Sequence, residues 1–287
     1  MTRKRLDLCL TFWMSLVAAF LFAGGTRAAN PNLPELAAKA NPSVVLLTIA
    51  DAGGRKLGTG TGFFVSAAGR IVTNHHVVAG AGKVTATLSD GRKVEAEGLL
   101  ASDEDRDLAI IKIPGEGYPA LILGESRTLR MGDEIVVIGS PMGLSGTLST
   151  GVVSAIRDEH SLPDVKEEDG KFGSWRIQVT AAISPGSSGS PIMSPTGQVV
   201  AIAVGQHVGG QGLNFGIPVE EAKALLEKVD VGAKLERFAG AGGMSEVRKN
   251  LLISAAFFLV ALLLYVGFKR YDRHRQSAAA RKRIRPS

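Results

Sequence analysis

GTGTGFFVSAAGRIVTNHHVV, Gly58–Val78, holds two short apolar runs, TGFFVS and RIVTNHHVV, with Ser and Gly between them. The same design recurs along the chain in SVVLLTIA, KVTATL, LAIIKI, EIVVIGS, GTLSTGVVSAI, RIQVTAAI and QVVAIAVG. Many of these runs are rich in Val and Ile, which fit a pleated, half-buried surface. Gly, Asp, Ser or Pro bound them, so the pattern predicts an all-β sandwich or barrel. One segment breaks it. In EEAKALLEKV, Glu220–Val229, the residues Ala222, Leu225, Leu226 and Val229 recur at i, i+3, i+4 and i+7 and predict one closing amphipathic helix. The folded region is expected from about Leu33 to Asp230, and no internal repeat is visible.

Outside that region the chain reads as two membrane-directed ends. Arg3, Lys4 and Arg5 precede an apolar run, Leu8–Ala23, and the small residues of AGGTRAAN follow. That is the pattern of a secretory signal, here residues 1–29, with an uncleaved N-terminal anchor as the competing reading. Near the other end, LLISAAFFLVALLLYVGF, Leu251–Phe268, has no charge in 18 residues. As a helix it would extend about 27 Å, close to the thickness of a bilayer core. A Gly/Ala-rich linker, 231–250, leads into it, and a basic tail, 269–287, follows. The larger excess of Lys and Arg lies after this span, which predicts a cytoplasmic C-terminus. Everything between the two ends then lies on the extracytoplasmic, periplasmic side, and the chain is a single-pass protein of the inner membrane contacting lipid.

Charge and cysteine content exclude other classes. The tail holds eight Lys/Arg against one acidic residue, Asp272, so it carries +7; the chain's net charge is +6, so the rest sums to −1. The basicity belongs to the tail and is no nucleic-acid signal. The one cysteine, Cys9, lies in the N-terminal apolar run. The folded region can form neither a disulfide nor a thiolate metal site.

Three groups of residues can carry chemistry of the Ser-His-Asp kind. Such chemistry needs a hydroxyl, an imidazole to activate it, a carboxylate to orient the imidazole, and N–H groups aimed at a developing oxyanion. The chain has five histidines. His75 and His76 stand together at the end of an apolar strand; neighbours on a strand point to opposite faces, so one of them at most faces a given site. His160 lies in a long acidic loop, Arg157–Gly173, His207 in a Gly-rich loop, and His274 in the tail. In DEDRDLAIIKI the carboxylates Asp103, Glu104, Asp105 and Asp107 crowd before a strand, and Asp107 is best placed to be buried at its start. SPGSSGSP, Ser184–Pro191, is a turn whose N–H groups can converge on one concavity, with Gly186 free to adopt an unusual φ. It is not a lipase elbow, because G-x-S-x-G would need Gly at Ser190.

With these motifs in view the chain resembles the trypsin-like serine proteases of the HtrA/Deg type. Five motifs match in order: GTGTGFFVSAAGRIVTNHHVV, DRDLAIIKI, LRMGDEIVVIGSPMGLSGTLSTGVVSAI, AAISPGSSGSPI and GLNFGIPVEEAKALL. The resemblance implies a chymotrypsin-like fold of two six-stranded antiparallel β-barrels with a short C-terminal helix, over 30–230, separate from the transmembrane helix 251–268. In T-N-x-H-V-V the catalytic histidine precedes the paired valines, which implies His76 as general base; His75 falls at the variable position. The same reasoning implies Asp107 as its orienting partner, Ser188 as nucleophile, and the N–H groups of Gly186 and Ser188 as the oxyanion hole. No metal and no cofactor is implied. The base of the substrate pocket should involve Ala182, Val204 and Gly205, with no acid to pair a substrate Arg or Lys, and so should suit small aliphatic side chains.

The sequence departs from the family pattern in several places. Ser187 stands for Asn, Ser190 for Gly and Thr180 for an acidic residue. A PDZ domain, usual after the protease, does not fit in the about twenty residues between the closing helix and the span. The implied function is a membrane-tethered serine endopeptidase acting on misfolded or exposed extracytoplasmic proteins. Two alternatives stand beside it: a catalytically latent binding or sensor module on the same scaffold, and an esterase. The substrates are proteins or peptides, and a homo-oligomer is open, since family members often form trimers.

Overall fold

A computed structural model describes residues 32–158, 175–206 and 213–238. The proposed signal, the transmembrane segment, the tail and His160, His207 and His274 all lie outside these residues. Among the described residues no helix is long and apolar enough to cross a membrane.

The chain opens with helix α1, Leu33–Ala40, which the strand pattern did not lead us to expect. It has one helical turn's worth of signal on each side: Asn32 caps Glu35 N–H, Pro34 sits in the first turn, and only Leu36 and Ala40 are buried. Two buried positions are too few to register as a period.

Seven strands then form one antiparallel sheet. They are β1 Val44–Ala50, β2 Lys56–Phe64, β3 Arg70–Thr73, β4 Lys83–Thr87, β5 Lys93–Glu95, β6 Gly98–Asp103 and β7 Leu108–Lys112, in spatial order β5-β4-β1-β2-β3-β7-β6. Between β3 and β4 lies a single helical turn, α2, His75–Val78. Six further strands close a barrel: β8 Glu134–Gly139, β9 Thr147–Asp158, β10 Trp175–Val179, β11 Pro191–Met193, β12 Val199–Gln206 and β13 Asn214–Pro218, in the order β10-β13-β12-β11-β8-β9. Helix α3, Val219–Asp230, follows at the place its periodicity predicts and buries Val219, Ala222, Leu225 and Val229.

Two six-stranded barrels were expected, and one is found. The first unit is a seven-stranded half-barrel whose ends, β5 and β6, do not pair. β5 has three residues and, among the described residues, pairs with β4 alone. The free edge of β6 is taken instead by the chain after α3, where Leu99 and Glu236 exchange backbone hydrogen bonds at 2.7 and 2.8 Å. This covers an edge that would otherwise offer unpaired N–H and C=O groups.

Three cores follow from the period of two along the strands. On β7, Ala109 and Ile111 face the half-barrel interior with Phe64 and Ile71, while Leu108 and Ile110 face outward. That outer face is also buried. It joins Val136, Ile138, Ile202 and Ile217 of the barrel, together with α1 and α3, in a core between the two units. Burial on both faces explains why LAII reads as an unbroken apolar run. The barrel interior holds Ile177, Val179, Ile192 and Ala203.

Candidate active site

The site forms where the two units meet. β3 ends at Thr73, and Asn74 is extended, with α2 starting at His75. The histidine pair therefore sits on a helical turn and not on a strand, a correction to the expected geometry. Val77 and Val78 are the reason: both are buried with the half-barrel core, and a turn brings the two there together. A turn rotates successive side chains by about 100° rather than 180°, and the two rings still part. His75 Nδ1 meets the Ser102 hydroxyl. His76 meets Asp107.

Asp107 engages His76 twice. Its Oδ1 accepts the His76 backbone N–H at 2.9 Å, and its Oδ2 lies 2.7 Å from His76 Nδ1. A carboxylate at Nδ1 places the proton there and leaves Nε2 as the basic nitrogen. The Asp107 side chain is 19% exposed and that of His76 42%, so the acid is sheltered and the imidazole is open to a substrate. Asp107 has a left-handed backbone, φ 56°. That conformation is costly for most residues and is tolerated by Asp and Asn. It is held from both sides: Asp107 N–H donates to Glu104 O at 3.2 Å, and Asn74 Nδ2 donates to Asp107 O at 2.9 Å.

Ser188 comes from the turn between β10 and β11. Within the turn, Ser187 N–H donates to Ser184 O at 2.8 Å and Ser190 N–H to Ser187 O at 2.9 Å, while Gly189 N–H donates to Ala203 O on β12 at 2.8 Å. The N–H groups of Gly186 and Ser188 donate to no partner among the described residues. Gly186 has φ +93°, a conformation that glycine adopts without penalty. The Pro185 carbonyl accepts Met142 N–H at 2.8 Å, and the Gly186 carbonyl accepts the Thr61 hydroxyl at 2.7 Å. Both carbonyls are thus committed elsewhere, leaving two alternate N–H groups unclaimed. The Ser188 hydroxyl makes a long bond, 3.4 Å, to Val204 O, and none to His76.

The half-barrel holds this turn in place through Thr61. Its N–H donates to Ser188 O at 2.8 Å, its hydroxyl serves Gly186 O and accepts Ser140 N–H at 3.0 Å, and its carbonyl accepts the Thr73 hydroxyl at 2.7 Å. Gly189, φ +87°, lies so close that a Cβ there would stand 2.0 Å from Thr61 O.

A model of the "Trypsin-like peptidase domain" matches residues 60–202. The chain belongs to the trypsin-like peptidase family. It is 43% identical over 173 residues to the "Probable periplasmic serine endoprotease DegP-like" of Chlamydia trachomatis, a match that covers 59% of this chain and 33% of that one. Among solved structures, "HtrA-type protease AlgW with tripeptide" superposes with TM-score 0.62 at 31% identity, over 71% of this chain and 65% of that one. "Crystal structure of Deg5" does so with TM-score 0.57 at 30% identity, over 70% and 95%. The chain spans about a third to two-fifths of the length of the curated relatives it matches.

In this peptidase domain the predicted residues fall as follows. His76 and Asp107 are in contact, and Ser188, Gly186 and Val204 share one turn-and-strand junction. Val204 is the extra residue of a β-bulge, since Ala203 pairs with Gly216 and Gly205 with Phe215. Ala182 is exposed, with its carbonyl accepting the Ser149 hydroxyl at 3.0 Å. The substituted positions also find places. Ser190 is fully buried over Gly139, where a Cβ would stand 2.2 Å from its Oγ. Thr180 Oγ1 accepts Val152 N–H at 2.9 Å. Among the described residues no group of three or more His, Cys, Asp or Glu can hold a metal.

Reading the sequence alone missed Thr61, Thr73 and Asn74. The signal was there, because these are polar residues at the buried ends of β2 and β3, and buried polar groups need partners.

Proposed function

We propose that this chain is a serine endopeptidase in which Ser188 attacks the scissile carbonyl and His76 takes its proton. His76 returns that proton to the leaving amine, and Asp107 orients the imidazole and stabilises its charged form. The N–H groups of Gly186 and Ser188 receive the oxyanion. One observation carries this reading: among the described residues, the two uncommitted N–H groups from Gly186 to Ser190 are those of Gly186 and of Ser188 itself, while the Nδ1 of His76 is already occupied by Asp107. A donor of this kind contributes about 2.7–4 kcal/mol to the transition state.

The finer parts of the proposal rest on sequence. Protein substrates outside the cytoplasm, misfolded or exposed, fit the leader 1–29 and the span 251–268, with the protease domain 30–230 tethered through the linker 231–250 and the tail 269–287 cytoplasmic. Ala182, Val204 and Gly205 form the base of the substrate pocket, which admits small aliphatic side chains. A specific contact favours the second reading, a latent module: the Ser188 hydroxyl rests on Val204 O and not on His76. Catalytic hydrogen bonds are often loose before substrate binds, and this contact alone does not carry latency.

Fluorophosphonate labelling of the purified chain separates the two. Labelling of the wild type at Ser188, abolished in Ser188→Ala, is the expected result. A well-folded wild type that takes no label rules out an activated serine and leaves the latent reading. Cleavage after Lys in preference to Val or Ala contradicts the proposed pocket.

A further inference from the structure

Arg106 directly precedes Asp107 and takes no part in the contact with His76. Its guanidinium joins two carboxylates instead. Nη1 lies 2.8 Å from Asp103 Oδ2, and Nε lies 2.6 Å from Glu221 Oε2. Its backbone N–H also donates to Asp103 Oδ1 at 3.0 Å, so Asp103 closes a ring on both ends of the residue. Asp103 and Glu221 are 14% and 18% exposed, and both hold the guanidinium more firmly protonated than usual, Asp103 foremost.

The two carboxylates differ in where they come from. Asp103 ends β6 and begins the turn that presents Asp107. Glu221 lies in the first turn of α3, on the helix whose Val219, Ala222, Leu225 and Val229 are fixed in the core between the units. The chain after α3 returns to pair Glu236 with Leu99 on β6, and Asp230 bridges to Arg70 on β3. α3 and its extension therefore hold β6 at Leu99 and again at Asp103. Left-handed backbone at a residue other than glycine persists only where its surroundings over-determine it. Besides the turn bond to Glu104, 3.2 Å, and the Asn74 bond to the Asp107 carbonyl, 2.9 Å, the turn is tied at Arg106 to a second element, α3.

We infer that Arg106 is a positioning residue: the Asp103–Arg106–Glu221 network ties the turn carrying Asp107 to helix α3 and thereby sets the orientation of the His76 imidazole. The inference rests on the roles proposed above for His76 and Asp107. A partly exposed ion pair contributes little to stability. Its effect is on geometry, where a misplacement of about 1 Å can cost about 100-fold in rate.

The test uses the purified full-length chain with fluorescently labelled casein as substrate, and the low-field proton NMR signal of a carboxylate-bound imidazole Nδ1–H. Arg106→Ala is expected to lower kcat about 10-fold or more, leave KM within about twofold, and broaden or abolish the NMR signal. Arg106→Lys, which keeps one charged contact, is expected to restore most of kcat. If Arg106→Ala does not fold, Glu221→Gln replaces it, with an expected loss of about two- to fivefold. An unchanged kcat with an intact NMR signal overturns the inference. If Ser188→Ala turns over casein as fast as wild type, the proposed function has failed; the NMR signal then still decides whether Arg106 orients His76.

Discussion

In the half-barrel, every polar group of Asp107 is engaged: N–H with Glu104, C=O with Asn74, and the two carboxylate oxygens with the His76 N–H and imidazole. In the closed barrel, the turn around Ser188 leaves two N–H groups uncommitted, and its hydroxyl is held by one long bond. These partners of the acid all come from within its own unit, from residues 74, 76 and 104. The turn of Ser188, the proposed nucleophile, is fixed across the junction, through Thr61 of β2. The difference separates two tasks. An imidazole that must keep one tautomer needs a closed set of bonds. A turn that must receive an oxyanion needs donors that the fold does not consume.

Breaking the closed set should have the largest effect. Asp107→Asn keeps the left-handed backbone, which Asn tolerates, and so should fold with its melting temperature little changed. It presents an amide to His76 and favours the wrong tautomer. Expected is a loss of about 10⁴-fold in kcat, measured by steady-state cleavage of casein. A loss below about tenfold would mean that another group orients His76, and the contrast between the units would fall.

Thr61→Val probes the junction at constant shape. It strands two groups, the Gly186 carbonyl and the Ser140 N–H, each held now by the Thr61 hydroxyl. An unsatisfied buried group costs about 1–3 kcal/mol, so unfolding in urea should shift by about 2–4 kcal/mol. Fluorophosphonate labelling should also slow by about tenfold as Gly186 loses its anchor. The carboxylate–imidazole NMR signal should persist. Its loss would show that the two units do not hold their shares of the site separately.

These residues also mark what could be read beforehand. The strands and α3 were legible because their periods of two and 3.6 are visible in Val, Ile and Leu. His76, Asp107 and Ser188 came from motifs, and two of them are in contact. The open seven-stranded sheet was not legible, because it depends on Glu236 occupying the edge of β6 some 137 residues away in sequence from Leu99. α1 was missed for want of length. The turn under the histidine pair was missed because Val77 and Val78 continue an apolar run equally well as strand or helix. Thr61 and Asn74 act through partners distant in sequence, as does Arg106 through Glu221, and no local period announces such a bond.

Helix α3 repeats the contrast on a smaller scale. Toward the half-barrel it offers ion pairs, Glu221 with Arg106 and Asp230 with Arg70. Toward the barrel side it offers Glu220, whose Oε1 accepts Ser126 N–H at 2.7 Å, while the Ser126 hydroxyl reaches Val200 O and accepts Val219 N–H. Burial pushes the Glu220 carboxyl up, but the hydrogen bonds from Ser126 and Arg127 outweigh it and hold its pKa below the ordinary value. A carboxyl depressed on folding stabilises fully above its unfolded pKa, about 4.3, and loses that contribution as pH falls through the lower folded value. Glu220→Gln should therefore cost about 1 kcal/mol at neutral pH, the smallest effect predicted, and less near pH 3. Urea unfolding of both proteins at the two pH values measures the difference. A cost that stays constant with pH would assign the Glu220 contact to shape alone, and the tie from α3 to the barrel would then owe nothing to charge.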